Sequence, residues 1–194
     1  MIGHGAFAVF FCLCVSFFPS LSRAMEPIYF ACASCHGEAG QGNPSKFAPA
    51  LAGLNAAYIA RQMHAFRSGE RGINDDVHGQ NMALIAKAYS EAQIEALAMI
   101  IAKFPTVKST KPITDPNYSQ CAACQGRAGE GNAEMGAPAL RHLGQGYIAR
   151  QLRLYRTGAR GNDSLSQLMV GAMSDEKWTD EAIERLAAII ARPD

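Results

Sequence analysis

Cys32-Ala33-Ser34-Cys35-His36 is the stretch from which the rest of this sequence can be read. Two cysteines three positions apart, followed at once by a histidine, have the spacing of a covalent c-type haem attachment site. On a helical turn, positions i and i+3 share a face, so Cys32 and Cys35 can both form thioethers to one porphyrin edge while His36 lies under the iron. Two plainer chemistries use the same letters: a thioredoxin-like redox pair and half of a zinc site. A redox pair is expected beside a βαβ pattern, and this chain has no strand-like alternation. A zinc site would have to join this pair to Cys121 and Cys124 across 85 residues (121 − 35 − 1), far beyond ordinary zinc-site loops.

The 194 residues leave room for one large or two small domains, each able to bury its own core. With 18 basic against 17 acidic residues and no long block of either sign, nucleic acid is not an expected partner. No apolar run approaches the roughly 18 residues of a spanning helix. The longest, residues 6–18, precedes Pro19 and Ser22-Arg23-Ala24, which puts small residues at the −3 and −1 positions of a cleavage site. Residues 1–24 therefore read as a signal peptide and place the mature chain in the periplasm, on the side of the membrane where bacteria attach c-type haem. The n-region offers only the α-amino group and His4, so an uncleaved segment holding the chain to a membrane stays open. Cys12 and Cys14 fall inside this segment and take no part in the mature chemistry.

An internal repeat divides the remainder of the chain. Cys121-Ala122-Ala123-Cys124 lies 89 residues (121 − 32) after the first pair, and the same offset relates Ala48-Pro49-Ala50-Leu51 to Ala137-Pro138-Ala139-Leu140. It also relates Tyr58-Ile59-Ala60-Arg61-Gln62 to Tyr147-Ile148-Ala149-Arg150-Gln151. This period exceeds a solenoid repeat, so each copy should fold as a unit. The expected domains are 25–104 and 117–194, joined by a proline- and lysine-bearing linker, 105–116.

Both copies carry helical patterns. A helix is expected over residues 55–68, capped by Asn55 and stopped by Gly69, with Ile59, Met63 and Phe66 as its apolar stripe. Ser90 and Gln93 form a capping box ahead of Ile94, Leu97, Ala98 and Ile101. Thr179 caps the counterpart, whose stripe is Ile183, Leu186, Ala187 and Ile190. These stripes are core, not ligands.

Taken together, Cys32 to Gly37, Pro49-Ala50-Leu51-Ala52-Gly53, Tyr58 to Gln62 and Phe66-Arg67-Ser68-Gly69 resemble a two-domain, c-four-type diheme cytochrome. The likeness runs from about Pro27 to the C-terminus. It implies an all-α fold of two tandem class I cytochrome c domains. In that family a methionine eight residues before the cap of the last helix is the sixth iron ligand, which points to Met82 (90 − 8) beside His36. Met63 and Met99 are competitors, and a core role for Met82 is the plain alternative. The resemblance also implies a hydrogen bond from His36 to the Pro49 carbonyl. Arg61 would meet a haem propionate or lie on a solvated helix face, and Arg150, Arg153 and Arg156 have the same two readings.

The second copy departs from the family at the ligands. The uniform offset sets Gln125 where His36 stands and Gly171 where Met82 stands, with Met169 and Met173 to either side. One haem c on Cys32 and Cys35 is expected, and a second on Cys121 and Cys124 stays open. That second site could be empty, carry haem of altered ligation with Gln125, Met169 or Met173 at the iron, or hold the family's second haem despite the motif. His/Met ligation leaves no open coordination position, so the expected function is electron transfer, not enzymatic turnover. The chain would serve as a periplasmic shuttle or as the cytochrome subunit of a dehydrogenase. Its partners would be a dehydrogenase, a terminal oxidase or another cytochrome. The alternative is a sensor that binds a small molecule at an under-coordinated second haem. The second domain is expected to keep its fold and to serve mainly as a docking surface.

Overall fold

The computed structural model describes residues 27–72, 76–106 and 109–192. The expected signal peptide, with Cys12 and Cys14, lies outside them. Every regular element among the described residues is helical, apart from two isolated bridges, Asn43 to Ala48 and Asn132 to Ala137.

In the N-terminal half a 3-10 turn, Pro27–Tyr29, leads into α1 (Phe30–His36), and α2 (Ala56–Ser68), α3 (Val77–Lys87) and α4 (Glu91–Ile101) follow. The C-terminal half repeats the order as Pro116–Tyr118, α5 (Ser119–Gln125), α6 (Gln145–Arg156), α7 (Ser164–Met173) and α8 (Asp180–Ile190). Helix α2 packs on α3 and α4, and α6 packs on α7 and α8.

The local signals act as their chemistry requires. The Asn55 side chain accepts from Tyr58 N at 2.8 Å, and Gly69 ends α2 in a left-handed conformation. Ser90 and Gln93 form the reciprocal capping box of α4, and Thr179 caps α8. Ile94, Leu97, Ala98 and Ile101 are buried with Ile59, Met63 and Phe66, while Ile183, Leu186, Ala187 and Ile190 form the matching C-terminal core. Each large aliphatic so buried contributes about 1.5–3 kcal/mol.

The 89-residue register fails across one segment. Asp76 caps α3 by accepting from Gly79 N, and Asp163 caps α7 by accepting from Ser166 N, an offset of 87 (163 − 76). Burial follows the caps: Gly79 and Ser166 are buried, as are Ala86 and Met173. By Tyr89 and Trp178 the offset is 89 again (178 − 89). The approach to α7 is two residues shorter than that to α3, and the turn after it is two longer.

The halves dock through α2 and α6 by reciprocal contacts. Buried Arg71 donates to Gln62 Oε1 at 2.6 Å and across the interface to Gln151 Oε1 at 2.9 Å and Tyr147 OH at 3.1 Å. Buried Arg160 mirrors it, donating to Gln151 Oε1, to Gln62 Oε1 at 2.9 Å and to Tyr58 OH at 3.2 Å. The far part of the expected linker is fastened to the C-terminal half: Ile113 N donates to Arg127 O at 2.8 Å, and Lys111 O accepts from Arg141 at 2.7 Å.

Candidate functional site

Helix α1 carries Cys32, Cys35 and His36, and hydrogen bonds hold it at its end. Tyr29 OH donates to Gly37 O at 2.7 Å, and Gly42 N donates to His36 O at 2.8 Å. Gly42 sits so close to the following loop that an added Cβ would lie 2.5 Å from Ala50 N. His36 is 6% exposed, with Nδ1 2.8 Å from the Pro49 carbonyl oxygen, as the resemblance implied. A carbonyl only accepts, so Nδ1 carries the proton and Nε2 keeps its lone pair. Burial holds the His36 pKa below the usual histidine range and favours the neutral imidazole that metals bind.

These residues open onto a cleft of about 210 Å³. Cys32, Cys35, His36 and Met82 line it, together with Leu54, Ile59 and Phe66. Met82 is half-buried on α3, Met63 reaches the cleft as part of the buried α2 stripe, and Met99 is 59% exposed, away from the site. The donor set and apolar lining fit a covalently attached haem c.

The second motif has the same frame. Tyr118 OH donates to Gly126 O at 2.8 Å, and Gly131 N donates to Gln125 O at 2.8 Å. Gln125 is 8% exposed, and its Oε1 is buried without a hydrogen-bond partner. A carboxamide oxygen is a far weaker iron ligand than an imidazole, so this half does not present a normal ligand pair. The expectation that Gly171 replaces the methionine is corrected by the shifted register. Met169 stands six residues after its cap, as Met82 does, and both are half-buried against their cores. Met173 matches Ala86 and is 2% exposed inside the core. Burial raises the Cys32 pKa and pushes that of Cys121 up to about 11, the opposite of an activated redox thiol. Among the described residues, no group of three or more His, Cys, Asp and Glu side chains could hold a metal ion, so the four cysteines do not gather around zinc.

Arg61 is not among the residues that line the cleft. Its Nη2 crosses to the other half and donates to Gly136 O at 2.8 Å. The arginines that line the N-terminal cleft are Arg71 and Arg150, and the C-terminal half also contributes Leu143, Tyr147 and Gln151. Arg153 and Arg156 instead bridge α6 to Asp180 and Glu184 at the surface. Sequence reasoning missed Arg71, and offered Arg150 a propionate without the N-terminal cleft that it lines, because both positions depend on how the halves dock.

Comparison with known proteins places this geometry. The cytochrome c family profile matches residues 26–103. The thiosulfate dehydrogenase electron acceptor of Thiomonas intermedia is 31% identical over 191 residues, covering 89% of this chain and 83% of its own length. Cytochrome c4 of Pseudomonas aeruginosa is 30% identical, over 71% of this chain and 72% of its own. The solved cytochrome c4 of Acidithiobacillus ferrooxidans superposes with a TM-score of 0.68 at 26% identity, over 84% of this chain and 98% of its own. Such proteins carry electrons between redox partners. No described helix is long and apolar enough to cross a membrane. The chain belongs to the cytochrome c family, as a two-domain, c4-type cytochrome that transfers electrons through covalently bound haem c.

Proposed function

We propose that this chain is a periplasmic one-electron carrier with one working haem, in its N-terminal half. Cys32 and Cys35 would hold the haem through thioethers, and His36 and Met82 would bind its iron. The observation that carries the reading is the His36 Nδ1 bond to the Pro49 carbonyl, beside a cleft that Met82 also lines. The bound haem supplies an iron that cycles between ferrous and ferric states. The chain's own residues do the rest. The Pro49 bond fixes the ring and its tautomer, and the apolar walls exclude water. Arg71 and Arg150 offer cationic partners for carboxylates at the cleft. Two retained ligands in both oxidation states leave little to rearrange when an electron moves.

The partner class that best fits is a sulfur-compound dehydrogenase that hands electrons to this chain, by analogy with the Thiomonas protein. The Thiomonas relative, named as an electron acceptor, favours electron transfer over the sensor alternative.

The ligand assignment is tested by Met82→Ala. The reduced variant should bind carbon monoxide and its potential should fall, since axial ligands are a main lever on haem potential. An unchanged spectrum and potential would mean that another residue, Met63 first, is the ligand.

A further inference from the structure

Phe47 is the one non-glycine residue with a positive φ, 54°, among the described residues. Side chains other than glycine rarely adopt this left-handed backbone, so a reason must be sought for the ring. Core packing is not that reason, because Phe47 is 59% exposed. Its ring instead lies 4.6 Å from that of His78 on α3, and both side chains line the N-terminal cleft. From the other half, Arg150 Nη2 reaches the Phe47 carbonyl oxygen at 3.5 Å.

The mirror position shows what is unusual. Gly136 (136 − 47 = 89) has φ 66°, and its carbonyl accepts from Arg61 of the opposite half. Both halves thus send an arginine across to the carbonyl of a left-handed residue. Only where the half retains its histidine is that residue an aromatic ring at the edge of a cleft. In the half with Gln125 it is the glycine that the backbone prefers.

We propose that the C-terminal half acts as a wall and clasp of the N-terminal haem cleft, and that Arg150, through Phe47, is the positioning residue by which it sets that haem's potential. This rests on the assignment of the haem to Cys32 and Cys35. Arg150 holds the Phe47–His78 pair over the mouth and brings a positive charge to the cleft wall. Both effects, less water and a nearby cation, favour the reduced haem. The degenerate half therefore has work to do without passing an electron.

The test is a spectroelectrochemical titration of the full-length holoprotein. Arg150→Gln should shift the reduction equilibrium toward the oxidised form by about tenfold, or 59 mV for one electron. Phe47→Gly should shift it in the same direction, and misfolding is no escape because Gly136 occupies the same backbone conformation. Arg61→Gln, which cuts the mirror contact, should stay within about twofold of wild type. Unchanged potentials for Arg150→Gln and Phe47→Gly overturn the proposal, and so does an equal shift for Arg61→Gln. Wild-type protein without haem on Cys32 and Cys35 would overturn the assignment beneath it, and peptide mapping shows this before any titration.

Discussion

Helices α1 and α5 are held alike, by a tyrosine hydroxyl on the glycine after the motif and by a loop glycine on the motif's last carbonyl. They part at the next atoms out. His36 has its carbonyl partner and faces an apolar cleft, whereas Gln125 buries an Oε1 with no partner. Met169 meanwhile holds the helical position of Met82. The difference teaches that this fold is carried by caps, stripes and loop bonds, and that the iron ligands are separable from it. At the positions of His36 and Met82 the second half differs in kind at one, Gln125.

Exchanging that residue should have the largest effect. By pyridine haemochrome count, His36→Gln should take the chain from one covalent haem to none, and Gln125→His should take it to two without a new methionine. A wild-type count of two low-spin, methionine-ligated haems would erase the contrast. The cores differ less: Met173 is buried where the N-terminal half has Ala86. Met173→Ala should cost about 2–5 kcal/mol in the unfolding of the C-terminal half, read by denaturant titration. A cost under about 1 kcal/mol would mean that Met173 fills no volume of its own.

The smallest effect concerns acid. Burial lowers the His142 pKa to about 4, and its ring lies against Gly53 of the other half. The unfolded chain, with an ordinary histidine near 6.5, binds more protons between those values. Stability should therefore fall as pH drops from about 6.5 to 4, by at most about 3 kcal/mol, and change no further through this group below that. His142→Phe should flatten the slope, and an unaltered slope would assign the acid sensitivity elsewhere.

Much of this was legible in the sequence. Asn55, Ser90 and Thr179 announced their helices through local chemistry, and Cys32 to His36 announced the cofactor. The loss of register at α7 was not, because identical residues flank it on both sides at an offset of 89 and hide two compensating length changes. The only local signal was the pair of capping aspartates, Asp76 and Asp163. The cross-domain bonds of Arg61, Arg71, Arg150 and Arg160 were invisible for another reason. They join residues far apart in sequence through the docking of two bodies, which no period along one helix records.

The contact between the halves is built largely from arginines, glutamines and tyrosines. Between separate proteins such a polar surface would associate weakly. Tethering changes the arithmetic: a short connection holds the halves at an effective concentration on the order of millimolar, so even a modest affinity keeps them together. Cutting the chain between the two domains would turn one molecule into a dissociable pair. Dilution alone would then strip Tyr147, Arg150 and Gln151 from the first cleft.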